Sequence, residues 1–301
     1  MARNISLWHK TAWRLARTPA AGWIKRYQRL FVSDAIATRR ELGRSLPRDV
    51  TITQTAKDFN RLGYCRLDEL VDPALLHAAA RAAAEKYAVA ARASQAQEVH
   101  LKDFWSRLLD EDKIDGMLPT DNPFVAFALQ PRILALLSEI YGELPFLDDV
   151  LLVLSRPTGK QLTLSQLWHH DYDDVRTIKL YIYLSDVACQ EDGPFTFLPA
   201  SASARVGMSL RSRRADEEIA SKVPFGEIVQ MIAPRLSVFM VETSRCLHMG
   251  SRVAAGHERL MYMASFISVP RMYPEPPPRF RLSGLESDVI RCVLTPARTP
   301  A

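Results

Sequence analysis

The chain has 301 residues, of which 48% are hydrophobic and 24% charged, a composition typical of a globular protein with one large or two ordinary domains. No apolar run approaches the roughly 18 residues that a membrane span requires, and Arg3, Lys10, Arg14 and Arg17 interrupt the core of any signal peptide. The net charge of +5 is unevenly distributed, since residues 1–48 hold eleven Lys/Arg and two Asp/Glu. The remaining chain therefore carries a net negative charge, which argues against a nucleic-acid-binding fold.

Cysteine usage gives an expectation about the compartment. The four cysteines are widely spread and form no CxxC pair. A chain of this length does not need disulfides to fold. We therefore expect reduced thiols and a cytoplasmic protein.

The first predicted element is a basic amphipathic helix. Trp23, Tyr27, Leu30 and Phe31 recur at i, i+4, i+7 and i+8 and so share one helix face. This pattern predicts a helix that packs on the main domain and leaves its basic face in solvent. A membrane surface, an acidic partner or an acidic substrate is the alternative contact for such a helix. We treat residues 1–48 as a basic helical N-terminal extension.

Two further helices are expected before residue 145. Asp72 and Pro73 form an N-cap and N1 pair ahead of the alanine-rich run Ala74–Ala93. Pro131 begins another helix with a continuous apolar stripe, and Gly142 ends it. These helices are assigned no chemistry.

From Pro145 onward the apolar period becomes that of strands. The predicted strands are Val150–Ser155, Arg176–Leu184, Phe195–Leu198, Leu236–Val241 and Leu260–Val269. Helices followed by strands predict a mainly β protein, an antiparallel sandwich or jelly roll carrying an N-terminal helical layer. We expect this domain to span residues 49–269 and to be followed by a Pro-rich C-terminal tail, residues 270–301, that wraps the surface.

The residues that suggest chemistry begin just before the strand Arg176–Leu184. His169 and Asp171 have the H-x-D spacing, so on an extended chain both side chains project from the same face and can meet one ion. His248, between two later strands, would supply a third ligand. Two imidazoles and one carboxylate with open positions are the ligand set of non-haem iron(II) oxygenases. The alternatives are a hydrogen bond from His169 to Asp171, and His257 as the third ligand.

A candidate anion-binding residue follows the second histidine. Arg259 begins the strand whose inward face should also hold Met261, Met263 and Ser265. A buried arginine is costly unless paired, and a bidentate cation suits the far carboxylate of a dicarboxylate co-substrate bound to iron. The alternative is an edge arginine paired with Glu258 or Asp186.

One face of the central predicted strand also carries polar-tipped side chains. Lys179, Tyr181 and Tyr183 alternate with apolar residues along this strand. They indicate either the wall of a cavity or an exposed sheet face.

Two stretches of the chain carry a resemblance to a known family: WHHDYDDVRTIKLYIYLSDVACQEDGPFTFLPAS and RCLHMGSRVAAGHERLMYMASF. They resemble the phytanoyl-CoA dioxygenase family, and the match extends loosely back to DFNRLGYCRLDELVDPALL, so that it covers roughly residues 57 to 269. The resemblance implies a double-stranded β-helix, and Gly250 stands where some members carry a small hydroxyl residue near the co-substrate.

The same resemblance implies roles for individual residues. His169, Asp171 and His248 take the iron-ligand positions, and Arg259 takes the position that grips the tail of 2-oxoglutarate. Tyr181 falls where members often carry an aromatic residue beside the co-substrate.

The expected function is that of an iron(II)- and 2-oxoglutarate-dependent dioxygenase that uses O₂ to hydroxylate a small organic molecule. Lys179 is a further candidate for binding the co-substrate. The alternatives are a catalytically inactive jelly-roll protein that binds a metal or ligand, and a docking protein that acts through its basic N-terminus.

Overall fold

The computed structural model describes residue 18 and residues 20–93, 104–207, 213–272 and 277–297. Outside these residues lie Arg3, Lys10, Arg14 and Arg17 of the basic extension, and Pro274 and Pro276 of the proline cluster. Among the described helices, none has both the length and the apolar character needed to span a membrane.

Most described helices precede the main strands. They are α1 (Ala20–Leu30), α2 (Ser33–Arg44), α3 (Val50–Leu62), α4 (Pro73–Ala93), α5 (Pro123–Ala128), α6 (Pro131–Tyr141), α7 (Ala200–Val206), α8 (Asp216–Ala220) and α9 (Asp288–Leu294). The strands are β1 (Tyr64–Arg66), β2 (Trp105–Arg107), β3 (Leu118–Pro119), β4 (Phe146–Ser155), β5 (Thr177–Tyr183), β6 (Thr196–Phe197), β7 (Val229–Gln230), β8 (Val238–Glu242), β9 (His248–Met249), β10 (Arg259–Ile267) and β11 (Phe280–Arg281).

Local sequence signals set the helix ends as predicted. Asp72 Oδ1 accepts a hydrogen bond from the backbone N–H of Ala74 at 2.7 Å, which caps α4. Gly142, with φ 76°, follows α6 in the left-handed conformation that favours glycine. Helix α2 lies within the extension predicted to be helical, whereas helix α3 and strand β1 were not predicted from the sequence.

The main sheet has six strands in the order β1-β8-β5-β10-β4-β2, and all its pairs are antiparallel. A smaller sheet has the order β7-β6-β9. An apolar cluster fills the space between the two sheets, with Tyr181, Tyr183 and Phe239 from the main sheet and Phe195 and Phe197 from the small one. The sheet-rich core with two facing sheets is the jelly-roll arrangement that the strand pattern predicts.

The alternation predicted for β5 is confirmed. Ile178, Leu180 and Ile182 join the apolar cluster on the helical side of the main sheet, whereas Tyr181 and Tyr183 face the small sheet. Helix α3 contributes Ile52, Ala56 and Phe59, all buried, to the same helical side. The main sheet is therefore covered on both faces, which explains why its strands are buried along nearly their whole length.

Helix α1 has the predicted position but the opposite orientation. Its apolar face points away from the domain, and Lys25 is the side chain that faces inward, with 4% of its surface exposed. Lys25 Nζ donates to both carboxylate oxygens of Asp174 at 2.8 Å and to the carbonyls of Ser268 and Pro270. Either charge would be strongly destabilising if it were buried without the other, so the two side chains must stay together in the folded chain. The prediction that the apolar face packs on the domain is wrong, because the ion pair fixes the opposite side of the helix against it.

The C-terminal segment packs on the body where it is described. Helix α9 contacts β4 and α2 and buries Val293 and Leu294. Arg39 of α2, itself buried, donates to the carbonyls of Cys292 and Thr295 at 2.5 Å each. The helix is therefore held by hydrogen bonds as well as by apolar contacts.

Candidate metal and co-substrate site

The three predicted metal ligands come together at one end of the space between the sheets. His169 and His248 form an antiparallel bridge, with backbone N–H to carbonyl distances of 2.8 and 2.9 Å in the two directions. The N–H of Asp171 donates to the carbonyl of Thr243 at 3.0 Å, so the H-x-D segment runs beside the chain that leads into β9. His248 thus lies on a short strand of its own, between the two later strands that the sequence predicts. This pairing brings one ligand atom of each of the three side chains to within 4.8 Å of the others.

Backbone carbonyls fix the orientation of both imidazoles. Nδ1 of His169 lies 2.8 Å from the carbonyl oxygen of Leu167, and Nδ1 of His248 lies 2.9 Å from that of Cys246. A carbonyl only accepts hydrogen bonds, so Nδ1 carries the proton in each ring. Nε2 of each ring is left with a lone pair pointing towards Asp171, which is the usual arrangement of metal-binding histidines.

The distances to Asp171 exclude the alternative of a histidine–carboxylate hydrogen bond. His169 Nε2 lies 3.8 Å from Asp171 Oδ1, and His248 Nε2 lies 3.5 Å from Asp171 Oδ2. Both separations exceed the hydrogen-bond range of about 2.7–3.2 Å. The three groups surround a common point without bonding to one another.

Burial keeps the two histidines neutral. It lowers the pKa of His169 well below its ordinary value, and the neighbouring His248 adds to this shift. Burial also lowers the pKa of His248, although Asp171 opposes the effect. Neutral imidazole is the form that binds a metal ion.

Lys179 lies against the carboxylate of this group. Its Nζ is 2.6 Å from Oδ2 of Asp171, and both side chains are largely buried. Burial opposes ionisation of Asp171, but the charge of Lys179 together with His248 and His169 outweighs it, and the pKa of the carboxyl lies well below its usual range. Burial likewise opposes the charge on Lys179, but Asp171, helped by Tyr181 and Asp173, reverses this and raises the pKa of the amine. Of the two positions left open by the strand pattern, a cavity wall or an exposed sheet face, the structure places Lys179 at the cavity wall.

Arg259 is a fully buried cation without a carboxylate partner among the described residues. It has 0% exposure, and its guanidinium donates to the carbonyl of Gly193 and to Ser251 Oγ at 3.0 Å. Its Nε has no hydrogen-bond partner in the part of the chain that the structure describes. Glu258 instead contacts Tyr87 and Arg156, and Asp186 accepts from the N–H of Arg235. Neither carboxylate of the alternative interpretation pairs with this arginine.

Two serine hydroxyls beside Arg259 were missed from the sequence. Ser155 is its cross-strand partner on β4, and the two hydroxyls of Ser155 and Ser251 lie 3.2 Å apart. Ser155 Oγ is 3.5 Å from the guanidinium. Gly250, the residue that the family resemblance places near the co-substrate, is the only neighbour of Arg259 in this region that the sequence identified. The strand pairing of 155 with 259 was the signal that could have identified Ser155, since cross-strand neighbours share a sheet face.

Gly193 is required at its position beside the arginine. Its φ of 67° is left-handed, and a Cβ there would meet the backbone of Arg252 and Val253 at 3.0 Å. The carbonyl of Gly193 accepts from Arg259. The turn that follows β5 therefore lies close against the loop that follows β9, and this contact brings the carbonyl of Gly193 to the guanidinium of Arg259.

Aromatic side chains line the space between the ligands and the arginine. Tyr181 is buried between Phe195 and Phe239, with ring centroids 4.7 and 5.0 Å away. Phe195 also stacks on His248 at 5.4 Å. Tyr181 thus lies on the cavity side of β5, as its predicted role beside a co-substrate requires.

His170 and His257 do not belong to this group of ligands. The ring of His170 lies next to that of Tyr172, with centroids 6.1 Å apart. His257 Nδ1 lies 2.8 Å from Asp192 Oδ1, in a separate cluster that includes Cys189. The geometry therefore favours His248 over His257 as the third ligand.

A single cavity of about 270 Å³ connects these features. His169, Asp171 and His248 lie along its wall together with Arg259 and Lys179. Its wall also holds Tyr181, Phe195, Ser251, Met261, Met263, Ser265, Arg213, Arg271 and Arg279. The cavity joins the cluster of metal-binding groups to the buried guanidinium of Arg259.

The residues present fit an iron(II) ion and 2-oxoglutarate. The metal-binding side chains offer two neutral imidazole nitrogens and one ionised carboxylate oxygen, a set suited to a divalent iron ion with open positions. Arg259 and the adjacent serine hydroxyls supply donors for a carboxylate in the same cavity.

Sequence comparisons identify no relatives. No protein-family model matches the chain, and no curated protein matches it. The resemblance to the phytanoyl-CoA dioxygenase family is therefore not confirmed by these comparisons.

Solved structures share the fold. The crystal structure of EctD from S. alaskensis with 2-oxoglutarate and 5-hydroxyectoine is 14% identical, with a TM-score of 0.53, over 77% of this chain and 83% of that one. EctD from S. alaskensis with bound Fe is 15% identical, with a TM-score of 0.51, over 77% and 81%. AviO1 from Streptomyces viridochromogenes Tue57 is 15% identical, with a TM-score of 0.50, over 76% of this chain and 100% of that one. At these identities the likeness establishes that the chain has the fold of these proteins.

Proposed function

We propose that this protein is an iron(II)- and 2-oxoglutarate-dependent dioxygenase that hydroxylates a small organic molecule. The observation that carries the proposal is the combination, in one cavity, of the His169–Asp171–His248 group with a buried arginine that lacks a carboxylate partner among the described residues. The shared fold with EctD, whose crystal structures hold iron or 2-oxoglutarate, supports it. The proposal includes a catalytic domain at residues 49–269, to whose cavity the following segment adds Arg271 and Arg279, and membership of the phytanoyl-CoA dioxygenase family.

The metal ligands have a defined task in this proposal. His169, Asp171 and His248 would hold the ion, and a three-residue ligand set would leave it able to bind the co-substrate and O₂. The backbone carbonyls of Leu167 and Cys246 keep both imidazoles in the tautomer that presents Nε2. Iron(II), 2-oxoglutarate and O₂ together supply the oxidising chemistry when they are bound.

The other cavity residues bind and orient the co-substrate. Arg259 pairs with the distal carboxylate of 2-oxoglutarate, and the hydroxyls of Ser155 and Ser251 add hydrogen bonds to it. Lys179 and Tyr181 bind the co-substrate from the β5 side. Phe195 and the methionines of β10 keep water away from the region between the metal and Arg259.

The segment after residue 270 also contributes to the cavity. Arg271 and Arg279 lie in its wall, where Arg271 pairs with Asp148, and Arg279 with Asp149 at 2.7 Å. These two ion pairs form a polar margin of the cavity, and we assign the substrate to this part of the site. We propose that the substrate carries polar groups that this margin recognises.

The direct test is substrate-independent turnover of 2-oxoglutarate. Protein loaded with iron(II) without oxygen is mixed with 2-oxoglutarate and then with O₂, and succinate is measured. We expect succinate in amounts that exceed the enzyme, and none when 2-oxoglutarate is replaced by glutarate. Iron and 2-oxoglutarate binding without succinate formation would identify the alternative, an inactive protein that binds metal and ligand.

A further inference from the structure

The solvent-facing surface of α1 takes no part in the proposed catalytic function. We define it by Trp23, Tyr27, Leu30 and the adjoining Phe31, which are 72%, 63%, 71% and 51% exposed. Their spacing puts them on one side of the helix, and the rings of Tyr27 and Phe31 contact each other at 5.0 Å. Contiguous exposed apolar side chains of this size mark a binding surface. We call these four residues the outer face.

The orientation of α1 is fixed by specific contacts on its inner side. Lys25 pairs with Asp174. Arg29 forms a bidentate ion pair with Glu143, in which its two terminal nitrogens lie 2.6 and 2.5 Å from the two carboxylate oxygens. Arg29 also donates to the carbonyl of Val269 at 2.9 Å. A charged inner side and an apolar outer side are the reverse of a helix that only covers a core. The helix is thus held in an orientation that presents aromatic side chains to the surroundings.

The composition of the N-terminal sequence that contains the outer face indicates what this face binds. Residues 1–31 contain seven Lys/Arg and no Asp or Glu. Lys25 and Arg29 are neutralised by their inner partners, but Arg26 is exposed and lies over the Trp23 ring at 5.4 Å. The same stretch holds three of the five tryptophans of the chain. Its partner should therefore be negatively charged and should accept aromatic side chains.

We propose that the outer face binds the surface of a membrane that contains anionic phospholipid. Tryptophan and tyrosine favour the boundary between headgroups and acyl chains, and basic side chains are attracted to anionic headgroups. A second copy of this chain would bring an equal positive charge to the contact, which disfavours self-association through this face. Membrane attachment of this kind is peripheral and reversible.

Attachment would place the cavity close to the membrane. Lys25 and Arg29 are bonded to the backbone of residues 268–270, and the adjoining Arg271 lies in the cavity wall. The helix and the margin of the cavity are therefore parts of one hydrogen-bonded unit.

The test is co-sedimentation of the full-length protein with vesicles. Vesicles of phosphatidylcholine alone are compared with vesicles that also contain phosphatidylglycerol, at low and high salt. We expect binding to the anionic vesicles only, weakened by salt. The variant Trp23→Ser/Leu30→Ser should bind at least about tenfold more weakly, because two large apolar side chains no longer leave water. The matched control Phe225→Ser/Leu285→Ser removes side chains that are 79% and 93% exposed elsewhere, and it should bind like the wild type.

Several results would overturn the proposal. These are absence of sedimentation with either vesicle, equal binding to both vesicles, and undiminished binding of the Trp23→Ser/Leu30→Ser variant. Light scattering after gel filtration, without lipid, tests the second-copy alternative. A wild-type dimer that the Trp23→Ser/Leu30→Ser variant dissociates would show that the outer face is a protein interface. None of these measurements depends on catalytic turnover, so they are independent of the proposed enzyme activity.

Discussion

Lys179 Nζ lies 2.6 Å from Oδ2 of Asp171, inside the cavity and beside the two histidines. The amine neutralises the carboxylate while no cation is bound, and it repels a divalent ion that binds to the same oxygen atoms. The strength of metal binding in this protein therefore depends on Lys179 as well as on the ligands.

We expect Lys179→Met to increase the stabilisation that a divalent metal provides. Loss of about 1 kcal/mol of repulsion corresponds to about 2–4 °C in Tm for a chain of this size. The measurement is the rise in Tm on saturating Ni(II), compared with the same rise for the wild type. Lys86→Met is the control, because Lys86 pairs with Asp112 outside the cavity. An equal or smaller rise for Lys179→Met would contradict the prediction.

The assignment of the third ligand predicts a contrast between two histidines. His248→Ala should eliminate iron binding, since it removes one of three ligand groups. His257→Ala should keep one iron per chain, because His257 contacts Asp192 and not the ligand group. Atomic absorption on both purified variants measures the iron. Metal loss in His257→Ala with retention in His248→Ala would reverse the assignment.

Arg259→Ala should weaken the binding of 2-oxoglutarate far more than the binding of iron. Removing one partner of a buried ion pair costs about 2–5 kcal/mol, which corresponds to at least about a tenfold rise in KM for 2-oxoglutarate. The control is Arg252→Ala. This substitution breaks the ion pair between Arg252 and Asp216, whose atoms are 2.6 Å apart and which lies outside strand β10. Iron content and KM are measured on both variants. An unchanged KM in Arg259→Ala would move the carboxylate site elsewhere, with Lys179 as the next candidate.

Ser155→Ala should have a smaller effect of the same kind. One neutral hydrogen bond contributes about 0.5–1.5 kcal/mol, so KM for 2-oxoglutarate should rise about two- to tenfold while the iron content stays the same. Thermal unfolding serves as the control for the buried position of this side chain. A loss of iron in this variant would show that Ser155 supports the metal ligands and not the co-substrate.

Lys25→Ala should destabilise the protein by about 3–5 kcal/mol, because it leaves the buried carboxylate of Asp174 without its cation. Arg26→Ala, on the neighbouring exposed position, should change stability by less than about 0.5 kcal/mol. Urea unfolding measures both free energies. Equal stability of the two variants would show that α1 is not fixed by its inner side.

Periodicity and turn residues determined the order of the elements and much of the core. The alternation in β5 is a local property of the chain, so the sequence predicted which side chains share a face of the strand. Whether the face with Lys179, Tyr181 and Tyr183 lines a cavity or is exposed was decided only by the small sheet that folds over it. The ends of α4 and α6 followed from capping residues for the same reason. The ligand candidates His169 and Asp171 could be identified from the sequence, because residues two apart on an extended chain project from the same face whatever the rest of the fold does.

Tertiary structure decided what depends on distant residues. The choice of His248 follows from its bridge to His169, and Ser155 is beside Arg259 through strand pairing across more than a hundred residues. The orientation of α1 was mispredicted because apolar periodicity was taken to mark the buried face. Lys25 faces inward instead, since Asp174 and the carbonyls of Ser268 and Pro270 meet there only in the folded chain. A sequence pattern shows that a helix has two different faces, but the partners that fold against it determine which face is buried.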